Sequence, residues 1–336
     1  MNLLFDKHRL IGSPALAPAQ LDEPESPRFS ADRVLTIGLV NNMPDTALAA
    51  TERQFMGLLR AAAGNHLIRF HCFSLPSVPR SEGAQRRVER HYTDIADLPR
   101  LSMDGLIVTG AEPNAATLRQ EPFWNDLTDV IDWAKTNTRS TIWSCLAAHA
   151  AVLHLDGIER QRLDAKCSGI YDCAKASDHW LTEDLPSPIK IAHSRLNGLR
   201  QSDLTAQGYQ LLTGAAGAGV DIFAKLLQSH FIFFQGHPEY DALSLQREYL
   251  RDISRYLAGE RRDYPGMPAD YFDATTESTL ARFQRRAAGG ERQPALTAEI
   301  PELKLRGDIA AHSAATVIFG NWIRFLYDRA RPVAPR

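Results

Sequence analysis

Cysteine is scarce in this chain of 336 residues: Cys72, Cys145, Cys167 and Cys173 are the 4 present. That is too few for a disulfide-stapled scaffold of this length. No pair has C-x-x-C spacing, which argues against a structural zinc site, and no metal is expected. Each thiol is therefore read as reduced and used for packing or for chemistry. Long hydrophobic runs are also missing, since no stretch approaches the ~18–20 apolar residues of a membrane span. The opening MNLLFDKHRLIG places Asp6, Lys7, His8 and Arg9 where a secretory leader needs an unbroken apolar core. The expectation is a cytoplasmic protein. Charge of one sign is lacking as well, with 38 Lys and Arg against 40 Asp and Glu. A balanced chain has no general affinity for nucleic acid or an anionic membrane surface. There is no repeat of fixed period and no G-x-x-x-x-G-K loop for a nucleotide phosphate.

What is present is ordinary globular material. Hydrophobic residues make up 44% of the chain, enough for one large core or two modest ones. Residues 11–32 are rich in Pro, Ala, Ser and Glu without helical or strand period, and the segment 1–33 reads as an arm or linker. Regular structure then starts with Val34 to Val40 (VLTIGLV), a short branched run typical of a buried strand. A turn follows at Asn41, Asn42, Met43 and Pro44, and helical spacing runs from Thr51 to Ala63. The pattern repeats with strands at His66 to Leu75, Leu106 to Thr109 and Ser140 to Ser144, and helices at Phe123 to Lys135 and Leu146 to Leu155. Strands alternating with helices predict a mostly parallel sheet covered on both faces. Phe231 to Phe234 reads as a late strand and Ser244 to Leu257 as a helix. Residues 260–306 are mixed and charged, with a loop at 287–292, and a last amphipathic helix spans about 309–329. Trp124, Trp133 and Trp143 fall in the apolar pattern and read as core.

Two segments carry the chemistry. Cys145 sits where a strand hands over to a helix, in T-I-W-S-C-L-A-A-H-A. Such an elbow holds a side chain exposed at the carboxyl edge of a parallel sheet, where open α/β sheets place ligands. The helix N-terminus favours a thiolate, and the backbone N–H of Leu146 is placed to meet an oxyanion. Position alone leaves a buried structural cysteine equally open. His237-Pro238-Glu239 follows directly on the Phe231 to Phe234 strand. A strand-end His can act as base to a thiol, and a carboxylate two residues on can fix its tautomer. His-x-Glu is a weak motif by itself; together with an elbow cysteine it is far more specific.

This pairing resembles the class I glutamine amidotransferase superfamily and, within it, the homoserine O-succinyltransferase family. The supporting segments are IGLVNNMP, TERQF, DGLIVTGA, SGIY, GHPEYDA and FGNW, in order from about Val34 to the final helix. The resemblance implies a flavodoxin-like, doubly wound, mostly parallel sheet over residues 34–258, with a helical C-terminal extension at 259–336 packing on the same domain. It implies Cys145 as acyl-accepting nucleophile, His237 as base and Glu239 as orienting acid. Lys166, before Ser168-Gly169-Ile170-Tyr171, and Ser194 resemble substrate-site residues of the family. Glu248 and Arg251 resemble the pair that holds the amino-acid acceptor, and their spacing of three puts both on one helix face. A cation and an anion are what an amino acid's carboxylate and ammonium require. Asn114 falls where the family's acyl preference is set. His312 stands where the family has His-Gly. The implied reaction transfers an acyl group from succinyl-CoA, or acetyl-CoA, to L-homoserine or a related hydroxy amino acid, in methionine biosynthesis. It needs no cofactor beyond the acyl-CoA co-substrate, and the implied assembly is a homodimer.

The sequence departs from the family at several places. The family usually has lysines directly after the N-x-M-P turn, whereas here Asp45, Thr46 and Ala47 follow Pro44. The residue after the nucleophile is Leu146 in place of Trp. His149 replaces a common Gln and reads as a packed residue, as do Cys167 and Cys173. Two other readings stand beside the acyltransferase. A glutamine amidotransferase-like hydrolase would commonly show a Gly-x-Cys-x-Gly elbow, but the flanks here are Trp143 and Ala147. A non-catalytic binding protein is the other, and the intact Cys145, His237 and Glu239 argue against it.

Overall fold

A computed structural model describes residues 3–5, 33–289, 293–300, 302–307 and 312–328. Most of the arm at 1–33 lies outside the described residues, as does the side chain of His312. The chain divides into two compact units, one of residues 1–155, 224–233 and 319–336, the other of residues 156–223 and 234–318.

The first unit is built on a parallel sheet. Its strands are β1 (Leu3–Phe5), β2 (Val34–Val40), β3 (Leu67–Phe73), β4 (Gly105–Thr109) and β5 (Ser140–Ser144). The spatial order is β1-β3-β2-β4-β5, continued by His230–Phe234 and Ile222–Leu226, most of whose residues belong to this unit. The pairings from β1 through β5 are all parallel. Every residue of β4 and β5 is buried, which is why these strands read as continuous apolar runs rather than alternating ones. β1 was not anticipated. Three residues inside a stretch read as linker pair with β3, Leu3 opposite Ile68.

Helices α1 (Asp45–Ala62), α2 (Glu82–His91), α3 (Trp124–Asn137) and α4 (Leu146–Asp156) alternate with the strands. α1 starts at Asp45, well before the expected Thr51. Pro44, with φ −60°, is its N-cap residue, and Asp45 places an acid in the first turn where the helix dipole favours it. The apolar period that located the helix begins later because its first turn is largely uncovered. α2 escaped the sequence reading because it buries no residue; a helix polar all round has no apolar stripe to detect. Of the three tryptophans read as core, only Trp143 is fully buried. Trp124 and Trp133 are half-buried, and the guanidinium of Arg119 lies over the Trp124 ring at 5.6 Å.

The second unit carries an antiparallel pair that the α/β reading did not foresee. It is made of β6 (Gln161–Lys175) and β7 (Ile189–Gly198), flanked by the short strands Thr213–Ala215 and Gly219–Val220. Gly169 in the SGIY segment has φ +148°, and a Cβ there would lie 2.6 Å from the backbone nitrogen of Ala269. Its absence lets the chain at Ala269 run alongside β6, with Ile170 donating to the Ala269 carbonyl at 3.0 Å and Ala269 to the Ser168 carbonyl at 2.9 Å. Helices α5 (Gln201–Ala206), α6 (Ser244–Leu257) and α7 (Ala274–Ala288) complete the unit. α7 gives order to the stretch read as mixed and charged: Asp273 caps it by accepting from the Thr276 N–H at 2.7 Å. Leu280 and Phe283 of α7 pack with Leu245, Tyr249 and Ile253 of α6.

The last helix, α8 (His312–Asp328), ends within the first unit. There the indole N–H of Trp322 donates to the hydroxyl of Ser140 at 3.0 Å, and Phe319 faces Phe55 with ring centroids 6.2 Å apart. Trp322 is wholly buried, so the FGNW segment ties this end of α8 to β5. Trp322→Ala is expected to lower the unfolding free energy by about 3–5 kcal/mol in a urea titration, the usual cost of emptying a large aromatic site. A loss below about 1 kcal/mol would mean that this helix contributes little to the unit.

Candidate active site

The strand–helix elbow is present. β5 ends at Ser144, α4 begins at Leu146, and Cys145 between them has φ +51°. A left-handed conformation in a residue other than glycine costs on the order of 1–3 kcal/mol and persists only where its surroundings impose it. The Cys145 carbonyl accepts from the N–H groups of Ala148 and His149 at 3.0 and 3.3 Å, closing the first turn of α4. Cys145 is half-buried, whereas Cys72, Cys167 and Cys173 are buried. Gly110, directly after β4, lies against this elbow. A Cβ at Gly110 would sit 3.0 Å from Leu146 Cα and 3.1 Å from the Ala147 nitrogen, so only glycine lets the end of β4 pass under the first turn of α4. His149 is buried on that helix.

The neighbouring strand ends are tied to one another. Asn42 donates its backbone N–H to Thr109 Oγ1 at 2.9 Å and its side-chain amide to the Thr109 carbonyl at 3.1 Å, and accepts from the Leu75 N–H at 3.1 Å. Asn41 donates to the Leu48 carbonyl and the Tyr92 hydroxyl, both at 3.0 Å. These bonds explain the two asparagines of IGLVNNMP. Arg80 takes hold of this turn. Its guanidinium donates to the carbonyls of Met43 and Asn41 at 3.1 and 3.0 Å and to Ser74 Oγ at 2.8 Å, and it pairs with Asp45 at 3.5 Å. Asn114 is exposed. Its loop is held by Glu121, whose Oε1 accepts the N–H groups of Asn114 and Ala115, both at 2.7 Å. Glu121 is buried, and its other carboxylate oxygen has no hydrogen-bond partner among the described residues.

In the second unit His237 Nδ1 and Glu239 Oε1 are 2.8 Å apart. Both residues are buried. The imidazole stacks on Tyr240 with centroids 4.2 Å apart and an 18° interplanar angle, and the His237 N–H donates to the Ala192 carbonyl at 2.7 Å. Glu239 therefore fixes the proton on Nδ1 and leaves Nε2 as the basic nitrogen, the arrangement a general base needs.

Lys166, Ser194 and Glu248 meet in the same unit. Glu248 accepts hydrogen bonds from the hydroxyls of Ser194 and, at 2.6 Å, Tyr240, and Lys166 Nζ lies 3.5 Å from it. Arg251, on the same helix, donates to Asp252, Nε at 3.3 Å and a terminal nitrogen at 3.2 Å. Burial opposes ionisation of Glu248, yet the Lys166 ammonium and the Ser194 and Tyr240 hydroxyls outweigh it and hold its pKa below the ordinary value. Asp252 is likewise opposed by burial and held low by Lys166 and Arg251. Asp252, Tyr240 and Glu121 were missed in the sequence. Asp252 stands four residues after Glu248 on α6, a spacing that could have drawn notice; nothing marks Glu121.

One group of metal-type donors occurs among the described residues: Cys173, His193 and Asp221, all buried, with ligand atoms within 4.8 Å of one another. Its hydrogen bonding does not suit a metal. Arg195 Nε donates to His193 Nδ1 at 3.4 Å, and a guanidinium has no lone pair to accept in return. Nδ1 thus carries the lone pair and Nε2 the proton, which faces Asp221 Oδ1 at 3.3 Å. Burial, reinforced by Asp221, pushes the Cys173 thiol up. The group is a buried histidine–aspartate pair.

The family model for homoserine O-succinyltransferase matches residues 21–333. The chain belongs to the homoserine O-succinyltransferase family. A homoserine O-succinyltransferase of Rhodopseudomonas palustris is 59% identical over 327 residues, covering 96% of this chain and 98% of that one. One of Bradyrhizobium japonicum is 58% identical over 330 residues, covering 98% and 100%. Among solved structures, a glutamine amido transferase from Methylobacillus flagellatus aligns with a TM-score of 0.48 at 15% identity, over 87% of this chain and 94% of that one.

The Glu121 clip makes a direct prediction for this family member. Glu121→Ala leaves two backbone donors without their acceptor, and is expected to cost about 1–3 kcal/mol and to speed amide hydrogen exchange at Asn114 and Ala115. Glu121→Gln, which keeps a carbonyl oxygen, should exchange at nearly the wild-type rate. Equal exchange in all three proteins would show that the loop is held by something else.

Proposed function

We propose that this protein is a homoserine O-succinyltransferase that moves the succinyl group of succinyl-CoA to the side-chain hydroxyl of L-homoserine through a thioester on Cys145. What carries the reading is family membership over almost the whole chain, at 58–59% identity to proteins of that name. The left-handed elbow at Cys145 and the His237–Glu239 hydrogen bond supply groups suited to the chemistry.

In the first half-reaction the Cys145 thiolate attacks the thioester carbonyl of succinyl-CoA. The negative charge that develops on the carbonyl oxygen is met by the Leu146 N–H at the start of α4. The intermediate collapses, the C–S bond to CoA breaks, and CoA leaves as its thiol with the proton that His237 had taken. One thioester replaces another, so the step is nearly balanced. In the second half-reaction His237 Nε2 accepts the proton of the homoserine hydroxyl, whose oxygen attacks the enzyme thioester. Cys145 leaves, the oxygen ester forms downhill, and Glu239 stabilises the transient imidazolium. Glu248 and Lys166, with Arg251 beside them, form the group that receives the amino-acid end of the acceptor. The order of events is ping-pong.

Among the described residues no helix is long and apolar enough to cross a membrane, and the balanced charge fits small-molecule substrates in the cytoplasm. A homodimer remains part of the proposal, by likeness to the family. The test is CoA release from the purified protein with succinyl-CoA or acetyl-CoA, with and without L-homoserine. Release that depends on homoserine and is at least tenfold faster with succinyl-CoA is the expected result. Turnover with acetyl-CoA alone would overturn the donor assignment, and no release with either donor would overturn the acyltransferase reading.

A further inference from the structure

Asp252 is a buried carboxylate that gathers three cations from three places in the second unit. Its Oδ1 accepts from Arg251, through Nε at 3.3 Å and a terminal nitrogen at 3.2 Å. Its Oδ2 accepts from Lys166 of β6 at 3.1 Å and lies 3.4 Å from Arg261, just beyond α6. Its side chain is 7% exposed while that of Arg251 is 39% exposed, so a partly exposed guanidinium is held by a buried carboxylate. Glu248, one helical turn earlier, shares Lys166 with it.

We propose that Asp252 is a positioning residue for the acceptor amino acid: its two oxygens hold Arg251 and Lys166 in fixed orientations beside Glu248, pre-forming a subsite for an α-amino acid zwitterion. This rests on the acyltransferase reading above and goes beyond it, because Asp252 touches the two cations rather than the substrate. The physical reason is preorganisation. Arg and Lys lose much rotamer freedom when fixed, and a side chain already held before the ligand arrives does not lose that freedom on binding. A carboxylate can do this for two cations at once because both of its oxygens accept. An asparagine has one acceptor oxygen and an NH2 group that would point a donor at either Arg251 or Lys166, so one cation would be released. With Asp252 gone, Lys166 also has only Glu248 left of its two carboxylate neighbours, and would compete there with the substrate ammonium.

The experiment uses the full-length protein and separates the two half-reactions. For Asp252→Asn the KM for L-homoserine is expected to rise tenfold or more and kcat at saturating homoserine to stay within about twofold. The burst of CoA from succinyl-CoA alone, which involves no acceptor, should keep its wild-type rate and amplitude. A merely structural role would lower the burst and kcat together and leave the acceptor KM where it was. Should the asparagine variant fail to fold, Asp252→Glu keeps the charge while moving it along by one methylene; a several-fold rise in the homoserine KM supports the inference. A wild-type KM in whichever variant folds overturns it. Absence of burst and turnover in the unmutated protein would instead strike the function on which it rests.

Discussion

The elbow at Cys145 is the constraint on which the first unit turns. A cysteine at φ +51° is held there because its carbonyl closes the first turn of α4 while the end of β4 passes directly beneath Leu146. That close passage requires glycine at 110. The ends of β2, β3 and β4 are also tied to one another, Asn42 bonding to Thr109 and Leu75 and the Asn41 N–H to the Phe73 carbonyl. The whole-buried strands β4 and β5 and the tryptophan of the last helix supply the rigid floor. The left-handed conformation of one residue is thus supported by hydrogen bonds and packing from the neighbouring strand ends, as expected for a side chain presented at a strand–helix elbow.

The second unit solves a different problem, that of keeping several charges partly buried. Glu248 and Asp252 are one helical turn apart on α6, and each is ionised because cations and hydroxyls reach it from β6, β7 and the following chain. Buried carboxylates without such partners would take up protons. The same logic distinguishes the deeper His193–Asp221 pair: the donor on one side of the ring and the acceptor on the other assign its proton, and the assignment excludes it from holding a metal on Nε2. Its proximity to Cys173 comes from packing on adjacent strands.

Much of this was legible in the sequence where hydrophobic periodicity and chemistry coincide. The strand at Val34–Val40, the elbow at Ser144–Leu146 and the His237–Glu239 pair could be read directly, because buried parallel strands are continuous apolar runs and elbows interrupt them abruptly. β1 and α2 were invisible for opposite reasons, one too short to show a period and the other too polar to have one. The antiparallel β6 and β7 pair has mixed burial that imitates loop sequence. Around Glu248, residue types were legible but hydrogen-bond partners were not: Asp252, which accepts from both Arg251 and Lys166, carries no mark in the sequence beyond its place one turn after Glu248. Glu121 was hidden because its bonds go to backbone N–H groups, which carry no sequence signature.

The central claim is that catalysis passes through a covalent acyl group on Cys145. Peptide mass spectrometry of protein mixed with succinyl-CoA in the absence of homoserine, quenched in acid, tests it most directly. The account predicts one succinyl group on the peptide carrying Cys145, removed when L-homoserine is added before the quench and absent from Cys145→Ala. An unmodified Cys145 peptide in a protein that still turns over, or transfer that survives in Cys145→Ala, would contradict it.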